Sequence, residues 1–153
     1  MSFAEDLSFG REGEVIVRNL LESSGNFDYV IDCSNDKYFQ EKDIDLLALA
    51  TDGHIAKYEV KTDRMAHETG NIAFEIKTSG NIGCLAKTEA DFVMYYIEGD
   101  GRLYCFNAEQ MRRYLRRNKF KLYRMGDNAE GHLLSINRLL RDGQMKRIRT
   151  YEQ

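Results

Sequence analysis

The chain has 153 residues, enough for one domain that encloses a continuous core without disulfide or metal staples. Its 42% hydrophobic and 31% charged residues are those of an ordinary folded protein, which excludes a disordered or low-complexity chain. The net charge of -3 hides a division, because residues 1–100 hold 9 Lys/Arg against 20 Asp/Glu and residues 101–153 hold 13 against 5.

Glu12 to Ser23 reads as a helix stopped by Gly25, with Val17, Leu20 and Leu21 as its apolar stripe. Phe27 to Ile31 alternates loosely, as a strand does. Ile44 to Ala50 is a near-continuous apolar run, the pattern of a central strand covered on both faces. The Asp52-Gly53 turn predicts that His54 to Thr62 pairs with it as a hairpin. Ile72 to Lys77 is a further strand, Gly83 to Ala90 a loop or short helix, and Asp91 to Glu98 a strand. A turn at Glu98-Gly99-Asp100-Gly101 leads into a strand over Leu103 to Phe106. Asn107 is an N-cap with Gln110 completing a capping box, and the helix should reach about Arg117. Short elements follow: a strand near Leu133 to Ile136, a helix near Leu139 and a strand over Arg147 to Tyr151. This order predicts one α/β (α+β) domain over residues 1–153, with a mixed central sheet flanked by helices.

Ile44 to Ala50, the longest apolar stretch, contains an Asp and falls well short of the roughly 20 residues that span a bilayer. Met1 to Gly10 has neither a basic nor an apolar leader region, so the expected location is cytoplasmic, away from membranes. Cys33, Cys84 and Cys105 are an odd, widely spaced set that reads as reduced thiols, not a zinc site. His54, His67 and His132 show no ligand or triad spacing and read as turn or surface residues.

Chemistry concentrates on two neighbouring segments. Asp45 stands at the start of a buried strand. Glu59 and Lys61, two apart on the next strand, leave it on the same face. A hairpin between them can bring Asp45 beside Glu59. Buried carboxylates are unfavourable unless paired or bound to a cation, and two of them offer hard oxygens suited to Mg2+ or Mn2+. An ammonium beside that centre can orient a water and offset charge on a phosphate.

An acid on one hairpin strand followed by Glu-x-Lys on the next resembles the core of the PD-(D/E)XK nucleases, over about Gly10 to Asp91. The likeness is strongest to the Holliday-junction-resolvase-like branch and its phage relatives. It implies a restriction-endonuclease-like αβββαβ core and a metal-dependent endonuclease that hydrolyses DNA. It assigns catalysis to Asp45, Glu59, Lys61 and Glu14, with Asp45, Glu59 and Glu14 holding the metal. Gly10-Arg11-Glu12-Gly13-Glu14 resembles the branch's first helix, whose glutamate helps hold the ion. Glu14 shares a helical face with Val17 and Leu21 and should point inward. Ile44 stands where the motif's name has proline. Asp43, Asp63, Glu75 and Lys87 form a second tier. Asp43 shares a face with Asp45 by alternation, Asp63 can anchor Lys61 or end the strand, and Glu75 can meet the metal shell or lie at an edge. Gly83 to Asp91 is similar to a Gly-(x)-Lys-x-x-Ala-Asp segment of phage enzymes, in which Lys87 and Thr88 would suit a phosphate contact.

The basic part, residues 107–153, is the expected nucleic-acid surface. Arg112, Arg113, Arg116, Arg117, Lys119, Lys121 and Arg124 run without an intervening acid, interleaved with Tyr114, Phe120 and Tyr123. Arg138, Arg141, Lys146, Arg147 and Arg149 add a second cluster. The function expected is DNA cleavage, either structure-selective on junctions or nicking. A resolvase would need two opposed active sites, hence a homodimer. The alternatives are an inactive nuclease-fold DNA-binding protein and an RNA-cleaving nuclease.

Overall fold

The computed structural model describes residues 3–78, 81–82 and 84–149. The chain opens with α1 (Phe3–Ser23), then β1 (Phe27–Asp32), α2 (Lys37–Gln40), β2 (Leu46–Ala50) and β3 (Ile55–Asp63). After β3 come α3 (Ala66–Thr69), β4 (Asn71–Thr78), β5 (Asn81–Ile82), α4 (Cys84–Lys87), β6 (Phe92–Ile97) and β7 (Leu103–Asn107). The remainder is α5 (Ala108–Arg117), β8 (Tyr123–Met125), β9 (Ala129–Ser135), α6 (Ile136–Arg141) and β10 (Lys146–Ile148).

Two sheets result. The first is six-stranded and mixed, in the order β1-β2-β3-β6-β7-β10, and helices flank it. Its β3–β6 pair is parallel and the others are antiparallel. Parallel neighbours need a crossover, and here it carries α3, β4, β5 and α4. β4 leaves the first sheet and joins a second of four strands, β5-β4-β9-β8. The sequence reading expected one central sheet. The second forms because Ile72, Phe74 and Leu134 need an apolar partner, which Val93, Tyr95 and Phe106 of the first sheet provide.

α1 covers the other face. Val17 and Leu21, 0% and 4% exposed, pack with Leu46, Ala48, Tyr58 and Met94. Burial of each such side chain contributes about 1.5–3 kcal/mol. The helix starts earlier than the expected Glu12, at Phe3. Gly13 sits where α1 crosses β3, and a Cβ there would collide with Thr62 Oγ1. The expectation that β2 is covered on both faces fails on one. Leu47 and Leu49 stay half-buried, and Tyr29 and Ile31 beside them are exposed, because α1 packs only on the opposite side.

Asn107 caps α5 as expected, its side chain accepting the Gln110 N–H at 2.9 Å. The capping box is incomplete, since Gln110 Nε2 donates to Gly143 O and Gln144 Oε1 instead, at 3.3 Å each. The expected strand near Leu133 is longer, pairs on both sides and begins at Ala129. The final strand begins one residue early at Lys146, and its expected end at Tyr151 lies outside the described residues, as does Gly83. No helix among the described residues is long and apolar enough to cross a membrane.

Candidate active site

The site forms where β2 and β3 part. Their ladder runs from Leu49↔Ile55 to Leu46↔Tyr58, and the same register sets Asp45 opposite Glu59. The ladder is then broken. Asp45 Oδ2 accepts the Val60 N–H at 2.7 Å, so a carboxylate replaces the expected strand carbonyl. Just before it, Asp43 has φ 53°, the only positive φ outside glycine among the described residues. That conformation is uncommon for a side chain, and Asp tolerates it better than most. It sends the chain from α2 sharply into β2.

Glu59 is 4% exposed; it and Thr88 are the buried polar side chains among the described residues. Its Oε1 lies 2.9 Å from Lys61 Nζ. Thr88 Oγ1 is within hydrogen-bonding reach of both Glu59 and the Asp43 carbonyl, the latter at 3.2 Å. Lys87, next to it, places Nζ 3.6 Å from Asp43 Oδ1. Asp43 Oδ2 is buried without a hydrogen-bond partner. Two segments 45 residues apart in sequence therefore meet, and both Asp43 and Lys87 join the core trio.

Burial dominates the electrostatics. It raises the Glu59 pKa against the opposing pull of Lys61 and Thr88, with the Asp43 charge adding to the rise. Burial also raises Asp45, opposed by the Val60 N–H and Lys61 and aided by Asp43 and Asp32. Glu14 goes to about 7, through burial first and then the charges of Asp45 and Asp32. A group of acids that desolvate and repel one another is short of positive charge.

Space lies on both sides of this seam. Glu59, Lys61, Asp63, Glu75 and Tyr95 line a cavity of about 410 Å³ between the two sheets. Glu14 instead lines a cleft of about 430 Å³ with Asp32, Arg11 and Arg18, between α1 and the end of β1. Among the described residues no three His, Cys, Asp or Glu side chains close into a metal cage. The acids are spread over two openings, with Asp45 in electrostatic contact with both. Asp63 accepts the Met65 and Ala66 N–H groups through Oδ1, at 2.7 and 2.9 Å, and the Tyr95 hydroxyl through Oδ2.

The sequence matches no family model and no curated protein. One solved structure, that of the bacterial homing endonuclease I-Ssp6803I, is similar. The match covers 66% of this chain and 68% of that one, at 16% identity and a TM-score of 0.49. A likeness of that size carries no argument about chemistry.

Tertiary contacts divide the basic run. Arg112 is half-buried and gives its guanidinium to the Leu85 and Thr88 carbonyls, at 3.0 and 3.3 Å, and to Glu109 at 3.0 Å. It thereby fixes α4 and, through it, Lys87 and Thr88. Arg113 and Arg116 stay exposed but lie 3.9 and 3.5 Å from the same Glu109. Among the described residues Arg117, Lys119 and Arg124 are exposed and enter no ion pair. Lys121 Nζ lies 4.9 Å from the Tyr123 ring centroid. In the second cluster Arg138 and Arg141 share Asp142, at 3.7 and 3.5 Å.

Tyr95, Asp32 and Thr62 were not singled out from the sequence. Alternation along β6 could have flagged Tyr95, which faces the same way as Val93 and pairs with Lys61 across the parallel ladder. Cys33 is buried, Cys105 half-buried, and the Cys84 side chain lies outside the described residues. His54 stands in the β2–β3 turn, 3.0 Å from Asp52, and His132 Nδ1 meets Lys121 O at 2.9 Å, so neither reaches the acids.

Proposed function

We propose that this chain is a divalent-metal-dependent DNA endonuclease of the PD-(D/E)XK type. The observation that supports it best is the seam itself. A carboxylate only 4% exposed is paired with an ammonium at 2.9 Å, a cavity opens in front of that pair, and a second acid faces the carboxylate in register. The donor set fits Mg2+ or Mn2+: hard oxygens, raised pKa values, and a buried Asp43 oxygen without a hydrogen-bond partner. Asp45 and Glu59 would hold the ion, with Glu14 approaching from the α1 side. Bound there, it would supply Lewis-acid polarisation of a phosphoryl oxygen and a more acidic water.

The chain's own residues have separable roles. Lys61 neutralises Glu59, and its partly exposed side chain also lines the cavity, where it can reach a phosphate oxygen and orient a water. Tyr95 and Asp63 brace the wall beside it. Lys87 brings a second cation to Asp43. Phosphate contacts fall to the exposed cations after α5, which track a backbone without reading bases.

The test is cleavage of supercoiled plasmid, single-stranded DNA and a four-way junction, in Mg2+, Mn2+ and EDTA, with an RNA duplex alongside. Cleavage is expected with either cation and none in EDTA, and Glu59→Gln and Lys61→Ala should bind DNA without cutting it. Paired incisions in a junction by a dimer would identify a resolvase, and single nicks by a monomer the nicking form. Undiminished cleavage by both variants would remove this reading. Binding by the wild type with no cleavage at all would return it to the inactive, DNA-binding alternative.

A further inference from the structure

The second sheet has one face turned away from the core. Along β4, β9 and β8, side chains alternate, and the pairs Glu75↔Gly131, Ala73↔Leu133 and Tyr123↔Gly131 place Ala73, Glu75, Leu133 and Tyr123 on one side. Ile72, Phe74 and Leu134 point the other way, into the core. On the open side Leu133 is 41% exposed and Tyr123 37%. Lys121, two residues before Tyr123, brings its ammonium to 4.9 Å from that ring. Two residues of that face, Ala73 and Glu75, also line the catalytic cavity.

We infer that this face is a stacking platform for an unpaired nucleic-acid strand on its way to the Glu59–Lys61 cavity. The inference rests on the nuclease reading for its polyanionic ligand. Its chemistry favours a single strand over a duplex groove. An exposed aromatic ring beside an aliphatic side chain offers van der Waals surface to any base, whatever its identity. The Lys121 ammonium at the ring lies where the phosphate next to a stacked base would pass. A two-stranded ribbon reading the major groove would need donors at its tip. The β8–β9 turn, Gly126-Asp127-Asn128, puts an acid beside its one amide donor, and phosphates would repel that acid.

The experiment measures anisotropy of a fluorescein-labelled oligothymidylate and of a blunt DNA duplex, both in EDTA so that neither is cut. Tyr123→Ala should weaken oligothymidylate binding about tenfold while duplex binding stays within about twofold, and Tyr123→Phe should restore it. Leu133→Ser should give a smaller loss of the same selectivity. Both side chains are exposed, and circular dichroism of each variant checks that the fold is retained. Equal loss on both ligands, or no loss on either, would overturn the platform. So would a dimer, seen by light scattering, that Tyr123→Ala or Leu133→Ser disperses, because the face would then belong to a second copy. The two readings fail separately. If Tyr123 governs oligothymidylate binding but the protein cuts nothing, the platform stands and the nuclease reading falls. If Glu59→Gln abolishes cleavage and Tyr123→Ala changes no binding, only the platform falls.

Discussion

The six-stranded sheet and the four-stranded sheet treat charge in opposite ways. In the first, acids are drawn into the seam between β2 and β3, where Glu59 is buried and Asp45 substitutes for a backbone acceptor. Beside the second, cations stand in solvent, and among the described residues Arg117, Lys119 and Arg124 have no carboxylate to hold them. Under the proposed function, the difference matches what each group would do. A carboxylate gains affinity for a divalent cation when water is excluded and neighbours repel it. A guanidinium or ammonium that contacts a phosphate backbone needs reach and little else.

The largest effect expected is at the seam. Lys61→Ala should lower the rate of cleavage by about a hundredfold or more, the scale for loss of one charge-stabilising group. Single-turnover kinetics at saturating enzyme would measure it, and a loss of under threefold would dissolve the contrast. Gly131→Ala comes next and attacks the other sheet. A Cβ there would collide with the Phe74 carbonyl and press on Glu75 Cα, both backbone atoms that cannot turn aside. A loss of about 2–3 kcal/mol follows, readable as a lower Tm, and duplex binding should weaken with it.

The seam also predicts a pH dependence. Glu14 has its folded pKa raised from 4.5 to about 7, so over that window the native state binds more protons than the unfolded chain. Stability should therefore fall as pH rises from 4.5 towards 7, with Asp45 and Glu59, also raised, acting in the same sense. Thermal melts at several pH values should show this fall in EDTA and a smaller one with Mg2+. Glu14→Gln should flatten it, and an unchanged slope in that variant would assign the dependence elsewhere. The smallest effect separates the arginines. Arg117→Ala and Lys119→Ala should each reduce the salt dependence of DNA binding by about one counterion. Arg112→Ala should instead lower Tm by freeing α4, with cleavage falling more than binding. If all three variants behaved alike, the division of the basic run would be unfounded.

Much of this was legible beforehand where the signal was local. Period-two alternation and the Asp52-Gly53 turn fixed the β2–β3 hairpin, and with it Asp45 opposite Glu59 and Lys61 on the Glu59 face. Asn107 announced its helix because an N-cap acts within three residues. The charge division was visible in composition alone. The reading lost precision where partners lie far apart in the chain. Ile72 to Lys77 looks the same whether it extends the first sheet or founds another, and only packing against Val93 and Phe106 decides. Arg112 and Arg117 are equivalent in a run of bases, yet one meets carbonyls 24 and 27 residues away while the other meets solvent. By itself the sequence determined which residues could do the chemistry, because side-chain direction along a strand or helix is set by its immediate neighbours. The tertiary structure decided which of them meet, split the acids between two openings, turned Thr88 to Glu59, and added Tyr95. Those outcomes depend on desolvation and on contacts that exist only after distant segments have closed on one another.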